Sequence, residues 1–103
     1  RGPWKRGVGF SFGPEITRAW CELNGITAVL RSHEVRQRGY AEEHDGMCCT
    51  VFSAPNYCDS TGNLGAFGHI DDQGTLSWTM FEAQPHPDIR PMAYAGGMGG
   101  LLA

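Results

Sequence analysis

The first sustained pattern lies at 14–24, where Ile16, Ala19, Trp20 and Leu23 recur at i, i+3, i+4 and i+7 with Arg18 and Glu22 between them. That spacing predicts an amphipathic helix with one buried stripe. Pro14 suits its first position, where the amide hydrogen it lacks would have no helical partner, and Glu15 favours the positive end of the helix dipole. Gly25 predicts the stop, since a residue without Cβ takes the left-handed conformation at a helix end at little cost. Ahead of the helix, Val8, Phe10 and Phe12 alternate with small residues and predict a short strand. Behind it, 26–30 is apolar and rich in β-branched residues, as a buried strand requires.

The second half reads as strands joined by turns. The apolar run 47–54 is ended by Pro55, which cannot donate to a ladder. Segments 64–70 and 75–83 flank Asp71-Asp72-Gln73-Gly74, a hairpin connection with glycine for a positive φ, and Leu76, Trp78 and Met80 alternate as in a half-buried strand. Pro85, Pro87 and Pro91 forbid regular structure and predict an extended strap over the surface. The glycine-rich 96–103 predicts a frayed tail, leaving 1–95 as the folded portion.

Composition sharpens this picture. The chain has 103 residues, which bounds it to one domain or a piece of one. Only 19 of them are Leu, Ile, Val or Phe, few for a chain that buries its own core. A net charge of -3 is too small for the disordered class, so the shortage points to a folded segment that leans on further neighbours. No apolar run approaches the roughly 18 residues a membrane span needs, and no signal-peptide pattern opens the chain, so a soluble protein is expected. Cys21, Cys48, Cys49 and Cys58 do not suggest a disulfide framework, because adjacent strand residues point to opposite faces; free thiols in a reducing compartment are expected. Their spacing, with that of the histidines, fits no zinc finger.

Charge is unevenly spread. Residues 1–40 hold seven of the eight cations against three carboxylates, and the remainder holds Arg90 against eight carboxylates. A basic segment within an acidic chain suggests a local anion site more than nucleic-acid binding, although a solvated face has the same composition. The run from Gly7 to Gly13 has G-x-G-x-x-x-G spacing with no following P-loop lysine and is not a nucleotide cradle. Arg6 before it offers planar, bidentate donors to an anion. His33, beyond the 26–30 strand, stands where ligands gather in α/β sheets; a hydrogen-bonded structural histidine is the plainer alternative. Ser53-Ala54-Pro55-Asn56-Tyr57-Cys58 ends another strand with a polar, aromatic loop, in which Tyr57 could donate to a substrate oxygen and Asn56 could stabilise the turn.

Taken in order, Lys5-Arg6-Gly7-Val8, Phe12-Gly13-Pro14-Glu15, Arg31-Ser32-His33-Glu34-Val35, Gly39-Tyr40 and Thr50-Val51-Phe52-Ser53-Ala54-Pro55-Asn56-Tyr57-Cys58 resemble one family, the PPP-family serine/threonine protein phosphatases. The likeness is to the carboxyl-terminal part of their catalytic domain. The Arg31-Ser32-His33-Glu34 variant, with Pro85-His86-Pro87 and Pro91-Met92-Ala93-Tyr94-Ala95, is similar to the phosphatase 5 branch. The resemblance implies an α/β fold, part of a calcineurin-like metallophosphoesterase β-sandwich flanked by helices. It implies two divalent metal ions, manganese or an iron/zinc-type pair, and attack of a metal-bridging hydroxide on phosphoserine or phosphothreonine. By the same resemblance His33 is a metal ligand, Arg6 binds the substrate phosphate, and Tyr57 lies beside it. The loop with Asn56, Tyr57 and Cys58 would then line the groove and meet the toxins, such as okadaic acid and microcystin, that inhibit the family.

The departures bound what can be expected. The family's Gly-Asp-x-His-Gly, Gly-Asp-x-Val-Asp-Arg-Gly and Gly-Asn-His-Glu motifs, which supply most metal ligands, do not occur in these residues. One histidine cannot hold two metals, so this chain by itself is expected to be inactive and to require the amino-terminal half of the catalytic domain. Phosphoproteins are the expected substrates; a tetratricopeptide module and chaperones are implied only for a parent protein, in the cytoplasm or nucleus. The alternative from another class is a non-catalytic binding domain that kept the fold and lost the metal motifs.

Overall fold

The computed structural model describes Gly2, Pro3, Lys5 and residues 7–90. Strand β1 (Gly2–Pro3) pairs antiparallel with β2 (Phe10–Ser11). β2 is shorter than the alternation at 8–12 predicts, because Gly7 and Gly9 take positive φ and break the extended run. Helix α1 spans Pro14–Asn24, as predicted, and Gly25 closes it at φ 65° with its amide donating to the Cys21 and Glu22 carbonyls.

The face that α1 buries differs from the predicted stripe. Thr17 and Cys21 are buried, whereas Trp20 is 51% and Leu23 84% exposed. The part-buried contact between Thr17 Oγ1 and His44 Nδ1, 2.8 Å apart, holds this orientation, and Arg18 adds a weak, exposed pair with Asp45 at 3.4 Å. Both partners sit on one turn, so the helix is pinned along the side that carries Thr17 and Arg18, and its apolar stripe faces away.

The central sheet has the order β3-β5-β4, with β3 at Val29–Arg31, β4 at Tyr40–Glu43 and β5 at Cys48–Val51. β3 runs parallel to β5 and β4 antiparallel to it. The middle position explains why Cys48, Cys49 and Thr50 are buried. Burial pushes both cysteine thiols above their ordinary pKa, with Glu42 adding to the effect at Cys49. β4 has no apolar alternation to announce it; its backbone pairing with β5 alone makes Tyr-Ala-Glu-Glu a strand.

The predicted hairpin is β6 (Gly65–Ile70) and β7 (Leu76–Phe81). Asp71 Oδ1 accepts from the amides of Gln73 and Thr75 at 2.9 and 2.8 Å, and Gly74 supplies φ 80°. The hairpin docks on β4: Trp78 stacks on Tyr40 with ring centroids 4.8 Å apart and donates from Nε1 to Glu42 at 2.9 Å. At Gly39, φ is +83° and a Cβ would come within 2.4 Å of the Gly65 carbonyl carbon, so only glycine admits this approach. Among the described residues the buried apolar core is Cys21, Cys48, Cys49 and Ala66, all small side chains. Beyond β7, 82–90 carries no regular structure, in keeping with the proline-rich strap.

Candidate active site at the strand ends

Parallel pairing sets the site. With Val29 opposite Cys48, Leu30 opposite Cys49 and Arg31 opposite Thr50, the carboxyl ends of β3 and β5 reach the same edge of the sheet. Side chains lock that edge: Arg31 Nη1 donates to Thr50 Oγ1 at 3.0 Å, and Ser32 Oγ to the Val51 carbonyl at 2.7 Å. The chain leaves β3 into His33 and leaves β5 into the loop bearing Tyr57. Two stretches 24 residues apart in sequence thereby meet.

They line a cleft of about 280 Å³ with Lys5, His33, Glu34, Val35, Arg36, Phe52 and Tyr57 on its walls. His33 has φ +80°, a conformation uncommon for non-glycine residues though more frequent for His than for most. Glu34 is buried, and its carboxylate pairs with Lys5 at 3.2 Å. Arg36 donates to Glu43 at 2.8 Å and to the Val35 carbonyl at 3.2 Å. Tyr57 is half exposed and stands edge-on to Phe52, centroids 5.1 Å apart at 86°. Both cations on these walls are engaged by carboxylates, so the cleft combines ion-paired side chains and the Tyr57 hydroxyl with a partly apolar floor.

The loop itself is strained. Asn56, Cys58 and Asp59 all take φ between 46° and 59°, a left-handed region that Asn and Asp tolerate and that costs a residue such as Cys about 1–2 kcal/mol. Asn63 holds it. This residue is buried at 2% exposure; its Oδ1 accepts from the Tyr57 amide at 2.9 Å, and its Nδ2 donates to the Ala54 and Leu64 carbonyls at 2.9 Å each. Sequence reasoning did not single out Asn63. Ser60-Thr61-Gly62-Asn63 reads as an ordinary polar turn, and nothing local marks the last residue as buried.

Of the sequence-derived site residues, His33 and Tyr57 share the cleft. Asn56 instead stabilises the turn, accepting from the Gly62 amide at 3.0 Å, and Cys58 is exposed. Asn56 also lines a separate hollow with Pro55, Asp59 and the strap, where His86 Nε2 donates to Asp59 Oδ1 at 2.7 Å. Arg6 lies outside the described residues, as do 91–103; the neighbouring Lys5 reaches the cleft wall. Among the described residues no three His, Cys, Asp or Glu side chains are placed to hold a metal ion together. The described residues by themselves do not fit a metal pair.

The arrangement has a counterpart among solved structures. A protein serine/threonine phosphatase from Saccharomyces cerevisiae, described as similar to human phosphatase PP5, superposes with a TM-score of 0.77 and 45% identity, covering 90% of this chain and 32% of that one. The small sheets, helix and cleft are thus a mixed α/β portion of a phosphatase catalytic domain. Among curated proteins, serine/threonine-protein phosphatase T of Schizosaccharomyces pombe is 63% identical over 98 residues, 95% of this chain and 21% of its own length. Serine/threonine-protein phosphatase 5 of Solanum lycopersicum is 53% identical, over 92% of this chain and 17% of the relative; that of Homo sapiens is 48% identical, over 88% and 18%. No family model matches the sequence. The chain belongs to the serine/threonine protein phosphatases of the T and 5 type, and it spans about a fifth of the length of these curated relatives.

Proposed function

We propose that this chain forms the phosphate-facing wall of a protein serine/threonine phosphatase that hydrolyses phosphoserine and phosphothreonine in protein substrates. The observation that carries the reading is the convergence of His33 and Tyr57 in one cleft at the paired carboxyl ends of β3 and β5. Family resemblance assigns the roles: Arg6 and Tyr57 hold the transferring phosphoryl group, stabilising the charge it develops, and His33 contributes one ligand to a pair of divalent ions. Phosphatases of this family depend on metal, and the remaining ligands must come from beyond the residues described here. The other part of the catalytic domain is accordingly the first partner of this chain. A tetratricopeptide module, chaperone contacts and a cytoplasmic or nuclear location belong to the same reading of a parent protein.

The test is a chimera in which this chain replaces the matching segment of the fission-yeast relative. Manganese-dependent hydrolysis of a phosphopeptide is expected. His33→Ala should lower the bound metal per chimera while the fold is kept. A chimera that folds and binds phosphopeptide without turnover would favour the non-catalytic binding domain instead.

A further inference from the structure

We infer that Asn63 is the positioning residue for Tyr57, setting where the tyrosine hydroxyl stands in the cleft; the inference rests on the phosphatase reading above. The geometry singles it out. The Asn63 side-chain amide is used on every side: Oδ1 accepts from the Tyr57 amide and from Thr61 Oγ1, and Nδ2 donates to two carbonyls, those of Ala54 and Leu64. Its own carbonyl accepts from the Asn56 amide at 2.7 Å. One planar head thus ties the entrance of the loop, its tip and its exit to one another.

The loop needs such a tie. Asn56, Cys58 and Asp59 are three non-glycine residues at positive φ within four positions, and conformations of this kind persist only when their surroundings over-determine them. Tyr57 stands in the middle of them. Its carbonyl accepts from the Ser60 and Thr61 amides, its ring meets Phe52 edge-on, and its amide donates to Asn63 Oδ1. The chemistry of position 63 is restrictive: it requires two donors and an acceptor on a short, planar side chain with almost no exposed surface. Asp would keep the acceptor for Tyr57 and turn a carboxylate oxygen toward two carbonyls; Ala would take from four polar groups of the loop a partner they now share. The contact on the outer side, His86 to Asp59, lies between two largely exposed side chains and is correspondingly weak. Asn63 is therefore the inner anchor of the loop, and the strap only its outer one.

The experiment uses the chimera with two readouts. Hydrogen exchange over 54–61 reports the anchor whether or not turnover occurs, and steady-state kinetics report its consequence. For Asn63→Ala, faster exchange over 54–61 and a loss of kcat/KM of about tenfold to a hundredfold are expected, the size of a small misplacement of a positioned group. In a Tyr57→Phe background the same substitution should produce no further loss, because Asn63 acts through the hydroxyl that is already gone. An additive loss in that background, or unchanged exchange over 54–61, overturns the proposal. If Asn63→Ala does not fold, Asn63→Asp decides: the Tyr57 amide should stay protected while exchange rises at the Asn56 amide, and wild-type exchange throughout overturns it. A chimera without turnover that still shows the exchange response would sink the phosphatase reading and leave the anchor standing.

Discussion

The two ends of the β3–β5 pair are built on different principles. At the carboxyl end the chain completes its own polar contacts: Arg31 with Thr50, Ser32 with Val51, Glu34 with Lys5, and Asn63 with the loop around Tyr57. At the amino end lies a groove of about 280 Å³ lined by Phe12, Ile16, Thr17, Trp20, Val29 and Cys48, beside a helix whose large apolar residues face outward. Polar satisfaction is short-ranged and can be met by one loop. Apolar burial needs area, and each large side chain left uncovered forgoes about 1.5–3 kcal/mol. The site end therefore satisfies itself with groups of this chain, while the helix end leaves an apolar surface that the described residues do not cover.

The largest effect tests that division outright. The 103-residue chain on its own should show no manganese-dependent phosphopeptide hydrolysis, whereas the chimera with the fission-yeast relative should turn over. Turnover by the isolated chain would mean that its helix end needs no cover and its site no outside ligands. Next in size, Arg6→Ala in the chimera should cost about 10²-fold or more in kcat, as for removal of a donor aimed at transition-state charge; near-wild-type kinetics would remove Arg6 from the site.

A smaller effect probes the apolar end. Trp20→Ser should change the stability of the isolated chain by no more than about 0.5 kcal/mol, as for a surface position, yet destabilise the chimera by about 2 kcal/mol if that face is covered there. Equal effects in thermal unfolding of the two proteins would show that the face stays uncovered in both.

The smallest effect concerns the sheet between the two ends. Burial raises the pKa of Cys48 and Cys49, so the folded chain keeps protons that the unfolded chain releases. That contribution is full below the unfolded value and is lost as pH rises above about 8.5. Denaturant midpoints should fall over that range, and Cys48→Ser with Cys49→Ser should flatten the fall; an unchanged slope would place the thiols in water. At neutral pH, alkylation should proceed at Cys58, the exposed thiol, before the buried ones.

Much of this architecture was legible in local chemistry. Pro14, the apolar spacing to Leu23, and Gly25 define a helix because propensity, capping and chirality act within a few residues, and the structure has it over the same span. Asp71 and Gly74 define the hairpin turn for the same reason. His33 and Tyr57 each follow an apolar run, but only the resemblance of the ordered motifs to one family brings them into one picture.

What the sequence could not determine depends on partners distant in the chain. Strand β4 exists because Tyr40–Glu43 finds the edge of β5, and Asn63 matters because the loop folds over it; neither fact has a local signature. The burial of α1 is the plainest case. Periodicity says which residues share a face, but which face turns inward is decided by what lies against it, and here Thr17 on His44 and Arg18 on Asp45 hold the Thr17–Cys21 side down. The sequence by itself determined the elements and the chemical groups at their ends; only the tertiary structure decided which faces were covered and which residue held the loop, because propensity, capping and turn chemistry act within a few residues, whereas the contacts that choose a face join residues distant in the chain.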